Sequence, residues 1–217
     1  MDASPYTDAD LMQQLAAGDD AALGHLIDRW QRPVLAFAYR YVQDHDAARE
    51  LTQETFVRLY QARGRFQPER AFPAWLFKIA ANLCRNYFRW KKRHPEQQLV
   101  DAEPDPAHPS APESDPAERA AQQDDAARVA AAVKALPHRL KVAVLLYYYE
   151  GRSYREIAAV IGCSERGVET RLYRARNLLS ASLGLEDGKG KAGGAPSNFP
   201  PTAVAPAFTT RTAQKQC

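Results

Sequence analysis

The side chains that could bind nucleic acid fall into two clusters along the chain. The first is the segment 82–93, which holds five basic residues, no acidic residue and three aromatic residues. Basic groups attract phosphates and aromatic rings stack on unpaired bases, so this composition favours binding of a single strand. The alternative is a solvated basic helix end, which the helix dipole would stabilise. Because Tyr87, Phe88 and Trp90 cannot all face one core, we expect some of these rings to be exposed.

The second cluster is the segment 153–176, which predicts two short helices joined by a tight turn. Ser153 and Glu156 have the spacing of a capping box. Gly162 suits the left-handed backbone of a sharp turn, and Ser164 can cap the next helix. This is a helix-turn-helix pattern, whose second helix enters the major groove of DNA. The motif alone leaves an ordinary helical hairpin as the alternative.

The predicted second helix carries the residue types that read and hold duplex DNA. Arg166, Glu169 and Thr170 should share one face, because residues three and four apart are neighbours on a helix. First-turn residues of such a helix are the ones that meet base edges. Arg171 and Arg174 form a neighbouring stripe suited to phosphates.

A third group of side chains, in the segment 46–54, has the opposite charge. Asp46, Glu50, Gln53 and Glu54 would lie exposed on one helix, and their charge would repel DNA. We therefore interpret this face as a candidate protein-binding surface, with an ordinary solvated face as the alternative.

Other kinds of chemistry find no support in the residue pattern. The three cysteines have long, irregular spacings that fit neither a zinc site nor a disulfide framework. The sequence contains no nucleotide-binding loop and no arrangement for nucleophilic catalysis. We therefore expect no catalytic residues, no metal site and no cofactor. No apolar run reaches the roughly 18 residues of a membrane helix, and the acidic N-terminus is unlike a secretory signal. The expected location is the cytoplasm, without membrane insertion.

Helical periodicity runs through most of the chain and predicts an all-α protein. The first predicted domain covers residues 1–94, with Thr7 as the cap of its first helix. Apolar residues then recur at helical spacing from Leu23 to Tyr41. Pro33 interrupts that pattern, so we expect a kink or a break there.

The composition changes after the first domain. Residues 95–125 are rich in proline and acidic residues and poor in large apolar residues, which predicts a flexible linker whose end from about Pro116 is helical. A second, smaller helical domain is expected over residues 126–183 and contains the helix-turn-helix. Residues 184–217 lack periodicity and are expected to form a disordered tail. The predicted architecture is two small helical domains joined by a flexible acidic linker.

The two domains together resemble the extracytoplasmic-function (group IV) sigma factors of the sigma-70 family. The motifs that carry the resemblance are Ala48–Phe56, Trp75–Asn82 with Arg85, Asn86 and Arg89, Leu136–Arg139, Tyr154–Ala158 and Arg171–Arg176. Their order and their separation by an acidic linker carry the resemblance together. The linker in place of a folded middle domain is what distinguishes this type from primary sigma factors.

The resemblance implies a function and a set of partners. Such a protein binds core RNA polymerase through the clamp and the flap of that enzyme, and directs promoter-specific initiation. It reads the −35 element as duplex DNA and opens the −10 element, with the loop 64–72 capturing a flipped base. An anti-sigma factor is a further candidate partner, and the expected place of action is the bacterial nucleoid.

Each implied role falls on particular residues. Residues matching those that read the −10 element are Asn82, Arg85, Asn86, Arg89, Lys92 and Arg93. Residues expected at the −35 element are Ser164, Arg166, Glu169, Thr170, Arg171 and Arg174. Residues expected to bind the polymerase clamp are Glu50, Gln53 and Glu54. The alternative function is a stand-alone helix-turn-helix regulator, which would leave the segments 46–54 and 82–93 without a role.

Overall fold

The computed structural model describes residues 6–69, 71–94 and 116–184. In this part of the chain the regular structure is entirely helical, which confirms the predicted all-α class. The helices are α1 (Asp8–Ala16), α2 (Ala21–Val42), α3 (His45–Gln61), α4 (Phe72–Arg93), α5 (Pro116–Ala135), α6 (His138–Val144), α7 (Tyr154–Ile161) and α8 (Glu165–Leu183). A short 3-10 helix, Arg63–Arg65, follows α3, and a π-helical turn, Leu145–Tyr149, follows α6. The predicted disordered tail and most of the predicted linker lie outside the described residues.

Local capping signals set where the N-terminal helices begin. The hydroxyl of Thr7 accepts from the backbone N–H of Asp10, and the Asp10 carboxylate accepts in return from Thr7 N, forming a capping box. Asp44 caps α3 by accepting from Ala47 N at 3.0 Å. Between α2 and α3 the chain turns through Gln43 in the left-handed conformation, with φ of 56°.

The expected break at Pro33 does not occur, because α2 continues from Ala21 to Val42. A proline inside a helix removes one backbone hydrogen bond and costs about 3 kcal/mol. Here Trp30, Val34 and Phe37 are buried on both sides of Pro33. Their burial offsets that cost, since a fully buried apolar side chain contributes about 1.5–3 kcal/mol.

The core of the N-terminal helices is built around aromatic rings. Phe77 of α4 lies 5.3 Å from Phe37 and 6.2 Å from Trp30, both of α2, measured between ring centroids. These edge-on arrangements are the ones that aromatic quadrupoles favour. They fix α4 against α2, while α3 packs on both helices.

The C-terminal helices contain the predicted helix-turn-helix. Ser153 and Glu156 form the capping box of α7, and Gly162 ends that helix in the left-handed conformation with φ of 73°. The Ser164 hydroxyl then caps α8 by accepting from Gly167 N at 3.2 Å. Upstream, α5 begins at Pro116, so the last residues of the predicted linker are helical.

The two groups of helices are in direct contact. Helix α7 packs on α4, and α2 contacts both α5 and the π-helical turn. The Tyr41 hydroxyl lies 2.8 Å from His138 Nδ1 across this contact. The buried apolar residues therefore form one continuous cluster rather than two separate ones.

Candidate nucleic-acid and polymerase interfaces

Helix α4 divides its residues cleanly between a buried and an exposed face. Leu76, Phe77, Ala80, Ala81 and Cys84 recur at helical spacing and are buried. The opposite face exposes all six residues expected at the −10 element, namely Asn82, Arg85, Asn86, Arg89, Lys92 and Arg93. No acidic residue occurs between residues 71 and 94. This face, called the α4 surface below, is therefore positively charged and rich in hydrogen-bond donors.

The three aromatic residues near the end of α4 have different roles. Tyr87 is half-buried and donates from its hydroxyl to Asp44 at 3.2 Å. The ring of Phe88 packs edge-on against Tyr41, with centroids 5.5 Å apart. Trp90 is 42% exposed and stacks on His94. Of these three rings, Trp90 is thus the one accessible for stacking on a base.

A polar cluster fixes the end of α4 against the start of α3. Lys91 Nζ lies 3.5 Å from Asp44 Oδ2 and 3.3 Å from the Tyr87 hydroxyl. Burial alone would raise the pKa of Asp44, but the hydrogen bond from Ala47 N and the charge of Lys91 hold that pKa below its usual value. Lys91 therefore braces the helix, whereas Lys92 and Arg93 point into solvent.

The loop before α4 is held by ring contacts. Phe66 packs against Phe72 at 6.0 Å and against Trp75 at 5.4 Å, between centroids. Arg63 lies over the ring of Tyr60 at 4.1 Å. These contacts place the described part of the loop beside the beginning of the α4 surface.

Helix α3 presents the acidic surface expected to bind protein. Glu50 and Gln53 are exposed, and Glu54 accepts from Arg58 Nε at 2.6 Å. Val57, which the sequence analysis did not select, is 47% exposed. It lies four residues after Gln53 and so continues the same face. That spacing was the signal that could have identified it.

Helix α8 exposes most of the residues expected to read duplex DNA. Arg166, Glu169, Thr170 and Arg174 are exposed, and Ser164 is exposed at the cap. Arg171 is half-buried instead, and its guanidinium donates to Gly167 O at 2.7 Å. Arg171 and Arg174 thus lie in different environments rather than along one open stripe.

Gly167 leaves room at the start of α8 for the Arg171 guanidinium and for Cys163 of the preceding turn. A Cβ atom there would lie 2.9 Å from Arg171 Nη1 and 3.3 Å from Cys163 Cβ. Further along α8, Tyr173 is 55% exposed and was not among the residues predicted to contact DNA. It lies three residues after Thr170 and therefore borders the same face.

Within 6–69, 71–94 and 116–184, no group of three or more His, Cys, Asp or Glu residues could hold a metal ion. None of the helices described there combines the length and apolar character needed to cross a membrane.

Comparison with known proteins identifies both halves of the chain. Residues 26–94 match the family model of sigma-70 region 2, and residues 126–179 match that of sigma-70, region 4. The chain is 32% identical to the RNA polymerase sigma-H factor of Pseudomonas aeruginosa, over 81% of this chain and 93% of that protein. It is 31% identical to the ECF RNA polymerase sigma-E factor of Haemophilus influenzae, over 83% and 97% respectively.

Two solved structures are also similar. The structure of CnrH in complex with the cytosolic domain of CnrY matches with a TM-score of 0.61 and 30% identity, covering 82% of this chain and 98% of that one. The sigma factor RpoE from Bartonella quintana, in complex with the anti-sigma factor NepR, matches with a TM-score of 0.55 and 26% identity. That match covers 75% of this chain and 97% of the RpoE chain.

Proposed function

The chain belongs to the extracytoplasmic-function sigma factors of the sigma-70 family, and from this premise we propose which of its surfaces performs each step of promoter recognition. As a sigma factor it binds core RNA polymerase and directs promoter-specific initiation. We assign recognition of the −10 element to residues 1–94 and recognition of the −35 element to residues 126–183. Residues 95–125 would connect the two domains, and residues 184–217 would form a tail.

The observation that carries the proposal for the −10 element is the composition of the α4 surface. Asparagine side chains can both donate to and accept from base edges, while the arginines between them neutralise phosphates. The residues assigned to this role are Asn82, Arg85, Asn86, Arg89, Lys92 and Arg93. Exposed Trp90 adds a ring on which an unpaired base can stack, a contact worth about 1–3 kcal/mol. The loop beside this surface would then capture a flipped base.

The proposed polymerase-binding surface lies on α3. Glu50, Gln53 and Glu54 would contact the clamp, and Val57 would add an apolar contact at the edge of this surface. Interfaces generally combine an apolar centre with a polar rim.

The proposed −35 surface is the exposed side of α8. Arg166 and Glu169 in the first two turns would meet base edges, since Arg pairs with guanine and Glu accepts from the cytosine amine. Ser164, Thr170 and Arg174 would contact the DNA backbone. The Arg171 guanidinium donates to Gly167 O and would stabilise the first turn of α8. It would contact a phosphate only if the phosphate approaches that turn.

An anti-sigma factor is part of the proposal. The RpoE chain that resembles this protein was solved with the anti-sigma factor NepR. We propose that this chain also has a proteinaceous inhibitor, and that it acts in the cytoplasm at the nucleoid without catalytic activity of its own. No observation favours the alternative of a stand-alone regulator, which gives no role to the region 2 match.

Reconstitution with core RNA polymerase tests the proposal. The full chain, mixed with core enzyme and supercoiled promoter libraries, should produce transcripts that share −35 and −10 sequences. Replacing Arg166 and Glu169 by alanine should change the selected −35 sequence and leave the −10 sequence as it was. An unaltered −35 profile would refute the base-reading role of these two residues. Tight, specific DNA binding without any response to core enzyme would support the regulator instead.

A further inference from the structure

Tyrosine side chains form an exposed patch on the C-terminal helices. The rings of Tyr147 and Tyr148, in the π-helical turn, meet edge-on with their centroids 4.9 Å apart. Tyr147 also packs against Tyr154, the first residue of α7, with 5.4 Å between centroids. Tyr147 and Tyr148 are each 37% exposed despite these ring contacts. A contiguous aromatic surface that remains open to solvent is typical of an interaction site.

Helix α8 extends the patch towards the proposed −35 surface. Tyr173 is 55% exposed, and Glu169 and Arg176 lie on its side of α8, four residues before it and three residues after it. Burial raises the pKa of Tyr154, the nearby charge of Arg176 opposes that rise, and the charge of Glu169 adds to it. This side of α8 therefore adjoins the other rings. The four residues called the tyrosine patch below are Tyr147, Tyr148, Tyr154 and Tyr173.

A proline-rich peptide is the kind of ligand that such a surface binds. Aromatic-lined surfaces hold proline-rich segments because the extended polyproline conformation is already formed and loses little entropy on binding. Residues 196–208 of this chain contain four prolines, two phenylalanines and no charged residue. They follow the match to the region 4 family model, which ends at residue 179. That match therefore assigns them no role.

The length of chain between α8 and this segment fits the distance to the patch. Tyr173 lies ten residues before the end of α8 at Leu183, which is about 15 Å at 1.5 Å per residue. Residues 184–195 connect α8 to the proline-rich segment and include five glycines. A glycine-rich connection of 12 residues has a root-mean-square length of about 17–21 Å. A connection that matches the span in this way gives an effective concentration in the millimolar range.

We propose that residues 196–208 dock on the tyrosine patch of the same chain and compete there with −35 DNA for the exposed side of α8. Glu169, which is assigned to a base edge, lies on the side of α8 that carries Tyr173. A segment bound to the patch therefore occupies space that the DNA needs. The competition with DNA rests on the function proposed above, whereas the docking concerns the free chain alone.

A spin label beside the proline-rich segment tests the docking in the full chain. The label is attached at Ser197→Cys, after Cys163 and Cys217 are replaced by serine, while the buried Cys84 is kept. A nitroxide weakens the NMR signals of amides that lie close to it. The amide signals of the tyrosine patch should therefore lose intensity, whereas the signal of Val57, which is exposed on α3, should keep it.

Two changes show whether the sequence of the tail, rather than its proximity to α8, causes this loss. Serine at positions 199–201 removes Phe-Pro-Pro, leaves the length of the tail unchanged and should restore the amide signals of the patch. Tyr147→Ala removes two ring contacts from the patch and should restore the signals of the remaining tyrosines. Leu178→Ala is the matched control, because Leu178 is 48% exposed on α8, five residues after Tyr173 and on another side of the helix. It should leave the intensity loss unaltered.

Binding of the free chain to duplex −35 DNA provides the second readout. If the segment occupies about four-fifths of the patches, the apparent affinity for DNA falls about fivefold, in proportion to the free fraction. The variant with serine at positions 199–201 should therefore bind the duplex about fivefold more tightly. A synthetic peptide of residues 196–208, added at about millimolar concentration, should weaken that binding again. Binding to a single-stranded −10 oligonucleotide should not change.

Several outcomes overturn the docking. Undiminished signals of the patch in the labelled chain would do so, as would an equal loss after serine replaces residues 199–201, or a loss that Leu178→Ala abolishes. Intensity loss that arises only between a spin-labelled and an isotope-labelled molecule would assign the patch to a second copy of the chain instead. Circular dichroism verifies that each variant is folded, and the tail variant retains the test if Tyr147→Ala unfolds the C-terminal helices. Confirmed docking with unchanged affinity for the duplex would overturn the competition alone.

Discussion

Replacing Lys141 by methionine gives a sharp test of the contact between the two halves. Lys141 is 3% exposed, and burial, followed by the charge of Lys134, lowers its pKa from 10.5 to about 8. When the chain unfolds or the halves separate, this amine returns to water and to its ordinary pKa. Between pH 8 and 10.5 the unfolded chain therefore binds more protons than the folded chain. The free energy of unfolding of the wild type must rise with pH in that window.

The size of the effect follows from the two pKa values. Below pH 8 the ammonium form is buried at full cost, about 3 kcal/mol at 1.36 kcal/mol per pKa unit. At pH 9.5 roughly two-thirds of this cost has disappeared, so the wild type should gain about 2 kcal/mol between pH 7 and 9.5. Methionine keeps an unbranched apolar stem and cannot ionise. Lys141→Met should therefore show none of this gain.

At pH 7 the two forms should differ little in stability. Methionine removes the cost of the buried charge but also removes two cation–π contacts, each worth about 0.5–2 kcal/mol. We expect Lys141→Met to be more stable than the wild type by at most about 2 kcal/mol. Urea unfolding, followed by circular dichroism at pH 7 and 9.5, measures the free energy of unfolding of the wild type and of Lys141→Met. The change with pH in one protein is then subtracted from the change in the other, so that the titration of all other groups cancels. Lys78→Met, on the exposed side of α4, is the control. An equal pH dependence for Lys141→Met and the wild type would refute the burial of this amine between Tyr41 and Phe88.

Three other changes test single surfaces. Glu50→Ala with Gln53→Ala should weaken binding to core polymerase, measured by fluorescence anisotropy, without lowering the melting temperature; unchanged affinity would remove α3 from the interface. Arg174→Ala should reduce the slope of log affinity against log salt concentration by about 0.9 on duplex −35 DNA, the value for one lost phosphate contact; an unchanged slope would argue against that contact. Ser153→Ala should lower the stability of the C-terminal helices by about 1 kcal/mol through loss of the α7 cap, whereas Ser153→Thr should keep most of that stability. Calorimetry measures both variants, and an unchanged melting temperature for Ser153→Ala would contradict the role of this cap.

The parts of the fold that the sequence predicted are those with local signals. The caps at Thr7, Ser153 and Ser164 depend on residues three positions apart, and the turn at Gly162 depends on one residue. Such signals are complete within a short window, so they could be interpreted without the rest of the chain. Of the kink or break predicted at Pro33, the break does not occur, because the packing of Trp30 and Phe37 offsets the lost hydrogen bond.

The contact between the halves could not be predicted in the same way. In the sequence, Lys141 resembles any charged residue on the exposed side of a helix. In the structure it is buried, as is Val142 beside it. Its burial depends on Tyr41 and Phe88, which lie 100 and 53 residues earlier in the numbering. Similarly, Trp90 fulfils the prediction that some of the rings of Tyr87, Phe88 and Trp90 are exposed, but the sequence did not indicate what Tyr87 and Phe88 contact. One of these rings braces α3 and the other receives Lys141, which only the tertiary contacts reveal.

Helix α4 keeps its contact with the C-terminal half apart from its proposed DNA-binding face. One side of this helix carries Phe77 and Phe88, on which the C-terminal half rests, while the other side leaves Asn82, Asn86 and Arg89 exposed. The exposed residues of α8 are likewise uncovered. The contact between the halves therefore covers none of the exposed residues assigned to the −10 and −35 elements.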